Sequence, residues 1–192
     1  MAFATPGQLA TRLGRQFTSA ETSQAAALLD DATAYLQAEI GQLVEAGTMT
    51  VTLQADPDQI NIRLPQWPVR GVTGVVSGGV TVTDYEVRGG DLVRCGGWPS
   101  TTIGVRDVVV TYDYGILDVP TDLSMWCCVL AAGAMAQALR GGTLGASGVT
   151  SERIDDYAIN YADDSTAFNL PERILERLRA SYGAGAHVTS PR

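Results

Sequence analysis

A run of twelve residues without a charged or strongly polar side chain, Met125 to Ala136, constrains this chain more than any other feature. Pro120 precedes the run and Gly141 follows it, and these residues favour the first turn and the end of a helix. We therefore predict a helix over 118–141. A surface helix normally shows an apolar stripe only about 100° wide, whereas this one is apolar nearly all round. We expect it to pack within its own chain and also against copies of the chain or other proteins.

The composition predicts a folded protein. With 192 residues, 45% apolar and 18% charged, the chain matches folded soluble proteins and is long enough to bury a large core. The three cysteines cannot all pair, so we expect no disulfide framework. No basic start followed by an apolar run opens the chain, and the apolar helix is short of the ~20 residues that span a bilayer. We therefore expect a protein made in the cytoplasm, without a membrane partner.

The net charge of −8 bears on nucleic acids. Tight binding to DNA draws on counterions released by clustered Lys and Arg, and this chain has thirteen basic residues, all of them Arg, against twenty-one acidic ones. Specific DNA binding is therefore disfavoured. DNA passing close by without adhering remains compatible with the charge, because like charge prevents trapping.

Local signals predict an α+β fold, in which a bundle of about four helices has an antiparallel β-lobe inserted between the second and third helices. Thr5-Pro6 starts a short helix, and the capping box from Thr18 to Glu21 starts a long helix that we expect to end near Gly47. Alternating apolar residues then predict a hairpin that turns at 56–58. The predicted boundaries are helices over 5–47, the β-lobe over 48–117, the apolar helix over 118–141, an extended arm over 149–162, the last helix over 170–183 and a tail over 184–192, with 1–183 as one domain.

Catalytic chemistry finds little support in the sequence. The only histidine, His187, lies in the predicted tail, where no core can orient it as a base. The paired aspartates at 30–31, 155–156 and 163–164 lack the spacing of a metal site, and the glycine-rich stretch 141–148 lacks the Lys and position of a phosphate loop. We expect no catalytic residues, no metal ligands and no cofactor.

Two other function classes remain open. Aromatic side chains of the β-lobe, with Trp126, could form a platform for sugars or another surface; they are Trp67, Trp98, Tyr85, Tyr112 and Tyr114. A small hydrolase built on Asp and Ser would instead need a deep pocket that holds a carboxyl group of raised pKa.

Four stretches, in order, resemble the head-tail connector (adaptor) proteins of tailed bacteriophages. They are the N-terminal helix pair, the segment from Pro68 to Val75, the segment from Val108 to Leu123 and the segment from Val149 to Tyr161. The second is similar to the family's "P-V-x-x-V-x-x-V" entry into a β-insertion. The third resembles "V-x-V-x-Y-x-x-G…P-x-D-L", and the fourth resembles an "S-E-x-I-G-D-Y-x-V-x-Y" arm, with Asp155 where the pattern usually has Gly.

The resemblance implies a non-enzymatic virion protein of the phage neck. It implies a homo-oligomeric ring, usually of about twelve copies, between the portal protein and the stopper or tail-completion protein, with DNA passing through the lumen during genome packaging and delivery. Another neck protein, such as a stopper or tail terminator, is the nearest alternative within phages. From the sequence we infer interface residues on the apolar helix, the arm and the C-terminal part: Met125, Trp126, Leu130, Met135, Tyr157, Ile159, Tyr161, Arg179, Tyr182 and Arg192.

Overall fold

The structure is a computed structural model, and it describes residues 2–56, 58–99, 106–139, 151–154, 157–160 and 168–183. The described chain has an α+β fold, as predicted, with four helices and antiparallel sheets. It divides into two compact units. The helical unit holds the described residues of Met1–Ile40 and Val119–Ala180, and the β unit holds those of Gly41–Asp118 and Ser181–Arg192. That 1–183 form a single domain stays a prediction.

The two N-terminal helices begin where the sequence predicts. Helix α1 spans Pro6–Leu13, with Thr5 and Gln8 forming a reciprocal capping box at its start and Gly14 in the left-handed conformation at its end. Helix α2 spans Ser19–Ile40. At its start, the backbone N–H of Thr18 donates to Glu21 at 2.8 Å, and the N–H of Glu21 donates back to the Thr18 hydroxyl.

Helix α2 ends earlier than predicted, because Gly41 adopts the left-handed conformation with φ +79°. That conformation terminates a helix and favours glycine. The prediction that the helix continues to near Gly47 was wrong. Leu43, whose position continues the apolar spacing of Leu36 and Ile40, lies beyond the helix with 41% of its surface exposed.

The helical unit is completed by helix α3, Thr121–Leu139, a pair of short antiparallel strands and helix α4, Glu172–Tyr182. The short strands are β8, Ser151–Ile154, and β9, Tyr157–Asn160. The core of this unit contains apolar side chains from all four helices and from the N-terminal segment. It includes Phe3, Leu9, Leu28, Leu29, Leu36, Leu123, Cys127, Leu130, Met135, Leu175 and Leu178.

The β unit contains two sheets. The larger has the strand order β1-β7-β3-β4, and the smaller has the order β2-β6-β5. The strands are β1 Gly47–Ala55, β2 Asn61–Arg63, β3 Val69–Ser77, β4 Val80–Thr81, β5 Glu86–Arg88, β6 Asp91–Val93 and β7 Arg106–Tyr114. Their shared core includes Leu64, Val75, Leu92, Trp98, Val108, Val110 and Tyr112.

The predicted hairpin at 48–64 does not form. Strand β1 pairs along all nine of its residues with β7, while β2 pairs with β6. A turn does occur at the predicted place, since the N–H of Gln59 donates to the carbonyl of Asp56 at 3.0 Å. The nine-residue β7 offers β1 a full-length partner, whereas the three-residue β2 could pair with only a third of it, so the non-local pairing prevails over the local one.

Candidate assembly surfaces

Helix α3 has a buried face and an exposed apolar face. Its first turn is fixed by the N–H of Ser124, which donates to the carbonyl of Pro120 at 3.1 Å. One side contributes to the helical core, while Met125 and Val129 are 40% and 49% exposed. Gly133 and Ala136 are also exposed. These positions follow one another at helical spacing and so lie on one face. We call these four residues the α3 face; it carries no charge.

The structure separates the four α3 residues that the sequence singled out. Met125 is exposed and Trp126 is half-buried, but Leu130 and Met135 are 3% and 2% exposed. The interface set therefore needs correction, because side chains buried in the core of one chain present no surface to another. Val129, which the sequence analysis did not single out, is exposed on the same face as Met125.

The remaining predicted interface residues lie outside α3. Tyr157 and Ile159 belong to β9, and only their backbone is described. Tyr161 and Arg192 lie outside the described residues, as do the glycine-rich stretch, His187 and the predicted tail. Tyr182 is half-buried in the last turn of α4. That these residues contact partners stays a prediction.

Arg179 holds α4 against α2 within the chain. Its Nε donates to the carbonyl of Glu39 at 2.9 Å, its Nη1 lies 2.6 Å from a carboxylate oxygen of Glu172, and its Nη2 bonds the Glu39 carboxylate. These bonds to Glu172 and Glu39 raise the pKa of Arg179 above its usual value. A guanidinium with two carboxylate partners is already neutralised, so in this structure its role is intramolecular.

The two neighbouring cysteines of α3 belong to the core. Thr33 accepts the backbone N–H of Phe3 at 2.9 Å, and its Oγ1 lies 3.5 Å from the sulfur of Cys127. Arg12 Nη1 donates to the sulfur of Cys128 at 3.2 Å. Burial raises the pKa of both thiols. A thiol held in its protonated form is a poor nucleophile, so neither cysteine is suited to catalysis. Their burial makes them packing residues of the helical unit.

The aromatic side chains do not share an exposed face. Trp98 and Tyr112 have no exposed surface and lie in the core of the β unit. The Tyr112 hydroxyl accepts the backbone N–H of Gln66 at 3.0 Å. Trp67 packs over Gly90, where an added Cβ would lie 2.6 Å from the indole ring. A platform that stacks sugars needs exposed rings. Tyr114 is also buried in this core, so burial excludes three of the candidate rings from such a platform.

The described part of the chain offers little to support catalysis. A depression beside the end of α1, lined by Ala10, Thr11, Gly14, Arg15 and Gln16, is largely open to solvent. The pKa of Glu21 is lowered to about 2 by the N–H of Thr18 and by Arg15, and that of Asp84 is lowered by Arg94. A general acid needs a shift in the other direction.

Two further kinds of site are absent from the described residues. Among those described, no group of three or more His, Cys, Asp or Glu side chains is placed to hold a metal ion. Nor does any helix in the described ranges have the length and apolar character needed to cross a membrane.

No protein-family model matches the chain, and no curated protein matches it.

Proposed function

We propose that this protein is a structural component of a tailed-phage virion, the head-tail connector that forms a ring between the portal and the stopper or tail. The observation that carries the proposal is the uncharged α3 face, with Met125 and Val129 as its large side chains. An exposed apolar helix face is the kind of surface that folded chains use to contact partners.

The positions of the four resembling stretches add support. The first coincides with α1 and α2, and the second, from Pro68 to Val75, leads into β3. The third covers β7 and the start of α3, and the described part of the fourth forms the β8-β9 pair. Each stretch recognised by residue type alone thus coincides with one or two discrete elements of the fold.

One residue of the third stretch has a structural reason to be glycine. Gly115 has φ +81°, and an added Cβ would lie 2.2 Å from the carbonyl oxygen of Glu45. Its N–H donates to the carbonyl of Pro68 at 2.9 Å. Only glycine combines this backbone conformation with so close an approach. The "Y-x-x-G" part of the resemblance therefore describes a geometric requirement of this chain.

The mechanism would be assembly. In a ring each subunit presents one surface to a different surface of the next, and closure at a fixed rotation limits the number of copies. The α3 face would be covered on assembly, gaining about 25 cal/mol for each Å² of apolar surface removed from water. The acidic charge of the chain would let DNA pass through the lumen without binding to it.

A charged substitution on the α3 face tests the proposal. Sedimentation velocity of the protein with the portal from the same genome should show a portal-bound ring for the native chain. Val129→Asp should remain free, because assembly would bury an unpaired carboxylate. Ala27→Asp, at an exposed position of α2, is the control and should assemble like the native protein. Assembly of Val129→Asp at native affinity would exclude the α3 face as the contact.

A further inference from the structure

Strand β1 forms an open edge of the larger sheet. Among the described strands its sole neighbour is β7, so the N–H and C=O groups on its other side have no ladder partner there. The edge is nine residues long, Gly47–Ala55, and it contains no charged residue and no proline. Long uncharged edges of this kind recruit further strands, and folded proteins normally protect them.

The other described edges carry such protection. Strand β4 has only two residues. The ladder of β3 is interrupted by register shifts between Val69 and Gly71 and between Val72 and Gly74, and bulges of this kind twist an edge away from a partner. The edges of the smaller sheet, β2 and β5, are three residues long and include charged side chains. Strand β1 differs from all of them.

The two faces of β1 are suited to receive another strand. On one face the half-buried Met49, Val51 and Leu53 pack against the core of the β unit. On the other face Thr48, Thr50, Thr52 and Gln54 are exposed. An added strand with the same alternation would extend the apolar layer on one side and the hydroxyl layer on the other, which is the usual basis of strand addition.

Charge around the edge indicates which strand it would accept. Asp113 and Asp107 on β7 lie opposite Thr48 and Gln54, near the two ends of β1. Glu45 precedes the strand, and Asp56 and Asp58 follow it. Among the β7 residues that the register places opposite β1, the one basic residue is Arg106, opposite Ala55. Strands in a sheet are about 4.8 Å apart, so residues flanking an added strand would lie about 5 Å from the ends of β1 and about 10 Å from the β7 carboxylates, a distance close to one Debye length at about 0.1 M salt.

The same charges disfavour a second copy of the chain. Antiparallel pairing of two β1 strands about Val51 matches apolar with apolar and hydroxyl with hydroxyl residues. It also places Glu45 of one copy beside Asp56 and Asp58 of the other, at both ends of the pair. Like charges in adjacent strands oppose pairing.

We infer that the β1 edge is a binding site for an extended segment of a partner protein, in which an uncharged alternation of apolar and hydroxyl residues is flanked at each end by Lys or Arg. The segment adds to the sheet as a fifth strand beside β1, held by main-chain hydrogen bonds and oriented by the carboxylates at the strand ends. This inference does not depend on the connector proposal, since it concerns the β unit alone.

A peptide experiment tests the inference on the full-length protein. The probe is a labelled synthetic peptide of alternating Thr and Val flanked by lysines, and binding is measured by fluorescence anisotropy. We expect saturable binding, at least about tenfold weaker when glutamates replace the lysines. Alternate backbone amides of the peptide can be N-methylated in two ways. Methylation of the set that faces β1 should abolish binding, and methylation of the other set should not, because only one set of amides faces β1. Absence of binding, equal binding of the Lys and Glu peptides, or indifference to both methylation patterns would overturn the inference.

A matched pair of protein variants locates the site. Thr50 and Thr73 each make a side-chain bond to Thr111, at 2.8 and 3.1 Å, so replacing either loses one such bond. Thr50→Lys places a positive charge beside the added strand and should weaken binding of the Lys peptide about tenfold, whereas Thr73→Lys, on β3, should leave it within about twofold of native. Equal effects of the two variants would overturn the placement.

Hydrogen exchange provides the remaining control. The Lys peptide should slow exchange of the β1 amides. Protection of those amides that grows with protein concentration in the absence of peptide would show that the occupant is a second copy, and would refute the proposed charge selectivity.

Discussion

Replacing Gly115 by alanine should destabilise the β unit more than the same change at another left-handed glycine of that unit. Gly79 has almost the same backbone angle, φ +80°, but an added Cβ there meets no atom within 4 Å. Gly79→Ala therefore measures the cost of the left-handed conformation alone, about 1 kcal/mol.

Gly115→Ala adds a steric cost. The new Cβ would lie 2.2 Å from the carbonyl oxygen of Glu45 and 2.9 Å from the nitrogen of Ala46. The backbone of this segment cannot move away freely, because the N–H of Ile116 donates to Val44 at 2.8 Å and the N–H of Ala46 donates to Ile116 at 3.1 Å. Loss of both bonds would cost about 2 kcal/mol, so the total is about 3 kcal/mol.

Urea unfolding followed by tryptophan fluorescence measures both variants, with the buried Trp98 as a reporter of the β-unit core. We expect the midpoint of Gly115→Ala to fall well below that of Gly79→Ala, at an unchanged slope. If the two variants lose the same free energy of unfolding, within about 0.5 kcal/mol, the close approach at Gly115 is not rigid and the reasoning fails.

Three further predictions concern the helical unit. Leu130→Ala should cost about 2–4 kcal/mol of unfolding free energy and Met125→Ala under about 1, because only Leu130 is in the core; similar losses in urea unfolding would mean that the faces of α3 are misassigned. The pKa of Glu21 is lowered to about 2, so the stabilising effect of this carboxylate is complete above the ordinary pKa of a glutamate and is lost as pH falls towards 2. Glu21→Gln should therefore flatten the acid limb of a curve of stability against pH. An unchanged limb would contradict this. With a thiol reagent, the exposed Cys95 should react at once and the two buried cysteines of α3 only in urea; three equal rates would refute their burial.

Elements set by neighbouring residues could be predicted from the sequence. The starts of α1 and α2 follow from capping boxes, in which Thr5 and Thr18 bond residues three positions on. The last helix likewise begins and ends close to where Pro171 and Gly183 indicate. Such signals involve only a few adjacent residues, so the elements that they predict do not depend on how the rest of the chain folds.

Elements set by distant residues could not be predicted. The residues that pair with β1 are 51 to 67 positions away along the chain, and nothing in residues 47–64 distinguishes a local hairpin from pairing with β7. The end of α2 was a different kind of error, since Gly41 offered a local stop signal that the apolar spacing through Leu43 outweighed.

The candidate surface was predicted only in part. The sequence identifies α3 as unusually apolar, but a helix without polar residues has no marker of which side faces its own core. Packing decided this, burying Leu130 and Met135 and exposing Val129. The open edge of β1 could not be predicted from the sequence either, because a strand lies at an edge only when no second strand pairs with it in the folded chain.

Native mass spectrometry of the purified protein, alone and with the portal from the same genome, tests the connector proposal most directly. The proposal predicts a closed ring of about twelve copies, either alone or assembled on the portal. A protein that stays monomeric and does not bind the portal would contradict it.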